Sequence, residues 1–458
     1  MEGKIPPPLG RGQMEAFPLW PHLVVPSTAS FEEVMPLAVP GLLKIFSVFA
    51  LILLLNRRGL PLSLCLFMGA FAVGLWMGLP LPRLLGVIFE EMTSPQTLWL
   101  AAIIVAILVL SNLLERSGQL QRIVETFGRL GPSRRFTTLA MPALIGLLPM
   151  PGGALFSAPM VQQSYPARER PPELMAAVNY WFRHIWEYWW PLYPGFVLAV
   201  SLLGVETWKF ILAQFPLTVG AVLGGVLFIA RHMPRATRTS PKEKVPLALF
   251  LREVMPIVLL LILLFAGQVL HPFLRPFLPL PPPKYFGFSL GLTAAIGWVM
   301  RENGLGGRDL LASVGKLSIP RMAMIIFGIM AFKGVLMRSS AMEVVRGELG
   351  LYGIHPLLII TMLPFISGLV TGIALGFVGT SFPLVLSLIP LGEVIPYGLL
   401  AYGFGYMGMM LTPMHLCLLV TKDYFRADFL KTYRYLWKAV LFVMLWTVGL
   451  FALYRAIL

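Results

Sequence analysis

The chain has 458 residues, of which 57% are hydrophobic and 12% charged, with a mean hydropathy of +0.79. Soluble proteins carry about 25% charged residues, which excludes a water-soluble enzyme with a polar shell; at about 20 residues per crossing the length allows about ten to twelve spans. The net charge of +15 does not mark a nucleic-acid binder, because the basic residues fall in short clusters between apolar runs, as cytoplasmic loops do.

Residues 1–35 are Pro-rich without a central apolar stretch and are read as an irregular or interfacial N-terminal tail, not a cleavable signal. Apolar runs then predict crossings at 36–55, 60–79, 97–114, 173–203 and 208–231. A second set follows at 246–269, 285–300, 319–336, 394–420 and 435–458. Two further apolar stretches, 136–161 and 356–389, are rich in Gly and Pro. Each is expected to be a re-entrant hairpin entering and leaving on one face, since broken backbone at membrane depth is tolerated only against protein or a cavity. Segments 115–130 and 337–349 mix charge with apolar residues and end at glycines, as amphipathic helices lying along opposite membrane surfaces would. The two cysteines, Cys65 and Cys417, sit inside apolar runs and suggest neither a disulfide framework nor a metal cluster.

One shift of 222 positions lays the second half on the first. Leu114, Arg116, Ser117, Gly128, Gly131, Pro142 and Gly146 fall on Leu336, Arg338, Ser339, Gly350, Gly353, Pro364 and Gly368. Further on, Tyr180, Phe182, Pro191 and Lys209 fall on Tyr402, Phe404, Pro413 and Lys431. Each half holds five crossings, an odd number, so the second half must enter the membrane upside down. The expected fold is an all-α membrane protein of two inverted repeats of about five transmembrane helices each, with two opposed re-entrant hairpins. The repeats cover 36–231 and 253–458, and a basic cytoplasmic linker at 232–252 joins them. With both termini extracytoplasmic, 23 basic residues fall inside and 9 outside, which satisfies the positive-inside bias. Inverted repeats with opposed hairpins are an alternating-access design.

The first hairpin carries Pro149-Met-Pro-Gly-Gly-Ala-Leu-Phe-Ser-Ala-Pro159. Prolines and paired glycines in midspan stop one helix and start another, leaving free N–H groups that favour an anion. Gly152 and Gly153 admit a ligand to the backbone, and Ser157 offers a hydroxyl; the alternative is a packed helix kink. The second hairpin is richer in hydroxyls. Ser367, Thr371, Thr380 and Ser381 are candidates for Na⁺ or ligand binding, or simply bond back to their own helices.

After each hairpin comes a long run broken by proline, at Pro191 and Pro413. In the first, Arg183, His184 and Glu187 are ionisable groups inside a membrane segment, where such groups are costly and face a cavity or each other. One reading pairs Arg183 with Glu187 at i, i+4 along a helix face. The sharper reading makes Arg183 a carboxylate clamp and Glu187 or His184 a proton carrier. His184 and Glu187 lack the HExxH spacing of a zinc site. His415 is read as a coupling-site candidate or as a cap for backbone near Thr412 and Pro413. Trp181, Trp186, Trp189 and Trp190 are expected to be interfacial anchors.

The Pro-Met-Pro-Gly-Gly-Ala-Leu-Phe-Ser-Ala-Pro stretch, Asn179-Tyr-Trp-Phe-Arg-His-Ile-Trp-Glu187 and Gly408-Met-Met-Leu-Thr-Pro-Met-His-Leu-Cys417 together resemble an uncharacterised integral membrane family of bacteria and archaea. It lies in the ion transporter superfamily, beside gluconate, citrate, dicarboxylate and lactate permeases and some Na⁺/H⁺ antiporters. The resemblance runs from Met35 onward. It implies an elevator-type secondary transporter with a scaffold and a moving hairpin-containing part, commonly a homodimer, in a prokaryotic inner membrane. By that resemblance the substrate site falls on Pro151, Gly152, Gly153 and Ala154, on 371–380 including Thr371, Gly376 and Thr380, and on the breaks near 187–191 and Thr412–Pro413. The chain lacks the Ser-Asn-Thr signature that dicarboxylate carriers have at the tips.

The function expected is secondary active transport of a small solute, most suitably an organic anion, coupled to H⁺ or Na⁺ without a cofactor. The partners expected are that solute and the lipid bilayer, with no nucleic acid. A cation/proton antiporter is the alternative, although Asp309, Asp423 and Asp428 all sit in loops. An intramembrane enzyme would need a paired-Asp, Ser-His or metal constellation that the spacings do not supply, and a non-transporting sensor or scaffold is the remaining reading.

Overall fold

Proline sets many of the helix starts. Pro40, Pro61 and Pro80 immediately precede helices, and Pro95, Pro172, Pro194 and Pro356 occupy first-turn positions, where the missing N–H costs nothing and the fixed φ already suits a helix. Hydroxyls supply other caps: Ser94 accepts from Thr97 N and Ser133 from Phe136 N, each satisfying an orphan donor.

The computed structural model describes residues 39–130, 133–150, 153–163, 171–233, 247–277, 283–316 and 318–457, and these form α-helices with no strand among them. The tail at 1–35, the tip residues Pro151 and Gly152, and most of the 232–252 linker lie outside the described residues. The first half contains α1 (Gly41–Arg57), α2 (Leu62–Trp76), α3 (Leu81–Thr93), α4 (Pro95–Arg116), α5 (Gln119–Leu130), α6 (Arg134–Ile145), α7 (Ala154–Gln163), α8 (Pro172–Arg183), α9 (Pro194–Leu203) and α10 (Thr207–Phe228). The second contains α11 (Leu247–Leu274), α12 (Pro283–Glu302), α13 (Gly307–Val314), α14 (Ser318–Arg338), α15 (Ala341–Leu351), α16 (Pro356–Thr371), α17 (Ala374–Val385), α18 (Val394–Leu411), α19 (Leu416–Phe425) and α20 (Phe429–Ile457). Among the described residues, six segments are long and apolar enough to cross a membrane: α4, α10 with the turn after it, α11, α14, α18 through α19, and α20.

Displacing the first half by 222 positions carries α4 onto α14 to within a residue and α9 onto α19 without error, and the other helices follow in the same order. The packing is reciprocal in the same sense. Helix α4 packs on α12 and α14 on α2; α3 packs on α14 and α13 on α4; α1 meets α15 and α11 meets α5. Likewise α7 packs on α19 and α17 on α9. One backbone contact recurs in both halves: a Cβ on Gly146 would collide with the Arg183 carbonyl, and one on Gly368 with the Gly405 carbonyl. Both pairs are related by the 222 shift, and glycine at each lets the hairpin lie directly against the following helix.

Hydropathy alone misses α3 and α13. Both are short, and α3 carries Arg83, Glu90 and Glu91. Two of the apolar runs are interrupted. Helix α8 stops at Arg183 and α9 starts at Pro194; α18 stops at Leu411 and α19 starts at Leu416. The stretches 136–161 and 356–389 each contain two helices packed side by side, α6 with α7 and α16 with α17. Helix α16 ends at Gly372 with φ +68, a left-handed cap that suits glycine.

Arg122 with Glu253, Arg252 with Glu302, Arg116 with Asp309 and Lys316 with Glu115 join loops assigned by charge to the inside. Arg338 with Glu90 and Glu91, and Arg455 with Glu393, join loops assigned to the outside.

Candidate functional site

The first break, 184–193, is aromatic for a reason that lies in the hairpin beside it. The last carbonyls of a helix have no helical donor, and α6 ends within apolar surroundings. Trp186 Nε1 donates to Ala143 O at 2.7 Å, Tyr193 Oη to Gly146 O at 2.6 Å and Trp190 Nε1 to Leu147 O at 2.7 Å. Trp181 Nε1 donates to Ala221 O and Trp189 Nε1 to Thr218 Oγ1. The expectation that these tryptophans anchor the chain at the interface is therefore corrected: their N–H groups are spent on buried acceptors within the protein.

Ending α8 at Arg183 also undoes the expected Arg183–Glu187 pair, because the i, i+4 geometry needs a continuous helix. Arg183 forms no ion pair among the described residues. Its guanidinium turns to the first hairpin, where Nη2 donates to Met150 O at 2.9 Å, and Nη1 lies 3.5 Å from Cys417 Sγ. Its Nε is buried with no hydrogen-bond partner among the described residues. Gly153 gives the guanidinium its space: a Cβ there would meet Arg183 Nη2.

The second break supplies the other wall. His415 follows Pro413 and places Nε2 3.0 Å from His184 Nε2, while its Nδ1 meets Gly372 O at 2.8 Å. His184 Nδ1 meets Tyr180 O at 2.6 Å. Glu187 Oε1 stands 3.7 Å from His184 Nε2. All of these side chains, and Cys417 with them, are buried. Tyrosines fix the breaks from across the repeat: Tyr402 Oη donates to Glu187 O at 3.0 Å and Tyr406 Oη to His184 O at 2.8 Å, while Tyr180 Oη donates to Met410 O at 3.2 Å. Asn179 Nδ2 donates to Ala154 O and to Thr421 Oγ1, leaving Asn179 Oδ1 buried and unpaired among the described residues.

Of the residues singled out from sequence, Gly153, Arg183, His184, Glu187 and His415 come together in this cluster, with Ala154 joined to it through Asn179. The hydroxyls form a separate set. Ser367 Oγ and Thr380 Oγ1 lie 3.1 Å apart and link the two arms of the second hairpin. Thr371 donates to Ser367 O, Thr380 to Gly376 O, Ser381 to Phe377 O and Ser157 to Ala154 O, the local back-bonding common for such residues in apolar surroundings. Gly376 packs against the Thr371 side chain. Thr412 Oγ1 accepts from Met414 N, and Pro413 is exposed beside it. Sequence reasoning passed over Cys417, Asn179, Tyr193 and Tyr406. For Cys417 the available signal was its position two residues past His415.

These features define an integral membrane protein whose interrupted helices enclose a buried polar cluster. The chain belongs to the family described as Protein of unknown function (DUF401), which matches residues 38–275 and 287–454. Its fold is similar to that of the Alcanivorax borkumensis YdaH transporter, whose crystal structure was described as having an unusual topology. That match has a TM-score of 0.57 at 16% sequence identity and covers 81% of this chain and 88% of that one. No curated protein matches the sequence.

Proposed function

We propose that the protein is a secondary active transporter that carries a small organic anion through a prokaryotic inner membrane. The substrate sits between the first hairpin tip and the two breaks, and H⁺ or Na⁺ drives it. One observation carries this reading: Arg183 is a buried cation with no carboxylate partner among the described residues, held at a hairpin tip by Met150 O. A buried unpaired charge is costly, and a bidentate carboxylate is the ligand its planar fork fits. Arg183, Gly153 and Ala154 then bind the anion. His184, Glu187 and His415 are the groups that take up and release a proton, which favours H⁺ over Na⁺ as the coupling ion.

The reciprocal packing supports two repeats of opposite orientation, with α1–α4 and α11–α14 as scaffold and α6–α10 and α16–α20 as the moving part of an elevator. The fold similarity to a transporter supports the same reading. The homodimer implied by resemblance is part of the proposal.

Proteoliposomes test it. Purified protein is expected to accelerate uptake of at least one radiolabelled carboxylate when an inward proton gradient is imposed, and collapse of the gradient is expected to stop it. Vesicles that move no anion faster than empty liposomes, under either a proton or a sodium gradient, overturn the anion reading. Sodium–proton exchange in those same vesicles would establish the antiporter instead.

A further inference from the structure

The two buried histidines pose a problem of hydrogen accounting. A carbonyl oxygen only accepts, so the contacts of His184 Nδ1 with Tyr180 O and of His415 Nδ1 with Gly372 O place a proton on Nδ1 of each ring. In the neutral rings both Nε2 atoms then carry lone pairs, yet they face one another at 3.0 Å. Two lone pairs at that distance in a buried site require something positive between them. Anchoring Nδ1–H on a backbone carbonyl is also the arrangement that orients imidazole for metal ligation and fixes its tautomer.

The neighbours of the pair are further ligands. Cys417 Sγ and the two imidazoles offer donor atoms that all lie within 4.8 Å of one another, and Glu187 Oε1 is 3.7 Å from His184 Nε2. We propose that His184, His415 and Cys417, with Glu187 as fourth ligand, form a site for a d¹⁰ transition-metal ion of the Zn²⁺ class that joins the two helix breaks.

The donor set fits that class. Two imidazoles, a thiolate and a carboxylate are each ligands that borderline-soft, tetrahedral Zn²⁺ accepts. Nitrogens about 2.0–2.1 Å from a tetrahedral zinc stand about 3.3 Å apart, so the 3.0 Å separation needs only a small opening. The thiolate and carboxylate together balance a divalent charge. Arg183, the one cation facing the cluster among the described residues, has Nη1 on the sulfur and Nη2 on Met150 O, so its charge is directed at the ligand shell and the first hairpin. His184 and Glu187 come from the first break, His415 from the second and Cys417 from the start of α19 just beyond it, so the ion would tie the two halves of the molecule together. The inference goes beyond the transport reading: with metal bound, His184, Glu187 and His415 act as ligands instead of carrying the coupling proton, and the test needs no transport.

The experiment uses the full-length protein, purified without a polyhistidine tag and stripped with chelator, then titrated with Zn²⁺ against a chromophoric competitor and with Co²⁺ in the visible. One equivalent of metal is expected to bind. The Co²⁺ form is expected to show strong tetrahedral d–d bands and a sulfur-to-metal charge-transfer band. Cys417→Ser, which keeps the side chain's size, is expected to remove the charge-transfer band, while Cys65→Ser leaves it. His184→Gln and His415→Gln are expected to weaken Zn²⁺ by at least about tenfold. Should either histidine variant fail to fold, the Cys417→Ser and Cys65→Ser spectra decide. Binding below one equivalent, a band that survives Cys417→Ser, or a histidine pair that holds a shared proton and takes up no metal each overturn the proposal.

Discussion

Gly153 leaves no room for a side chain. A Cβ there would meet Arg183 Nη2, with Cζ and Nε next at 3.2 Å. Leucine at that position pushes the guanidinium off Met150 O, a charge-assisted bond worth about 1.5–3 kcal/mol. If Arg183 clamps the anion, Gly153→Leu should weaken it about ten- to hundredfold, and saturation kinetics of uptake would read this as a raised KM or lost transport in a protein that still expresses. Unchanged uptake would remove the tip from the site. Glu187 invites the complementary test. Its backbone oxygen already holds Tyr402, a bond that glutamine keeps, so Glu187→Gln preserves that contact while removing the carboxylate that faces His184. Uptake by the variant should no longer respond to an imposed pH gradient, and a retained pH profile would make Glu187 structural. The individual site residues were legible because ionisable groups within an apolar run stand out: Arg183, His184 and Glu187 announce themselves in sequence. Their partners did not. Cys417, buried in an apolar run 230 or more positions from His184 and Arg183, joins them only when the second break folds back, and no local spacing encodes that.

At the scale of elements, breaks and hairpins were readable from Pro and Gly, and the amphipathic α5 and α15 from mixed charge. Two things were not. Helices α3 and α13 lack the long apolar run by which the candidate crossings declare themselves. The aromatic break looked like an interfacial belt because tryptophan in membrane chains commonly serves that purpose. Here the stronger demand came from three orphan carbonyls at the end of α6. This yields a prediction about the element as a whole. Replacing Trp186 and Trp190 by phenylalanine keeps an aromatic ring at each position, though a smaller one, and removes both N–H donors, stranding Ala143 O and Leu147 O. A buried acceptor left without its donor costs about 1–3 kcal/mol, so the double variant should melt at lower temperature. Its amide exchange should quicken first in α6, and leave α16, which ends on its own glycine cap, unaffected. Exchange that rises equally in both hairpins would mean the tryptophans act through general packing.

For the whole molecule the question is which parts move together. The 222-residue shift lays the helices of one half on those of the other in the same order, but sequence carries no sign of which helices travel as a unit. Packing suggests a division between the group around α4 and α14 and the group around the hairpins, and a pair of disulfides tests it. A Cβ on Gly379 of α17 would lie 3.7 Å from Ile329 Cβ of α14, within the range of about 3.5–4.5 Å that a disulfide spans. Gly379→Cys with Ile329→Cys therefore bridges the proposed scaffold to the second hairpin. Gly403→Cys with Thr447→Cys, whose Cβ atoms would stand 3.4 Å apart, bridges α18 to α20 inside the proposed moving part. Oxidation should stop uptake in the first pair, and reductant should restore it. The second pair should transport in either state, since its helices keep their relation throughout the cycle. Equal inhibition by both bridges would mean that transport bends the hairpin group internally. No inhibition by the first would mean that α14 and α17 never separate, and an elevator could not operate.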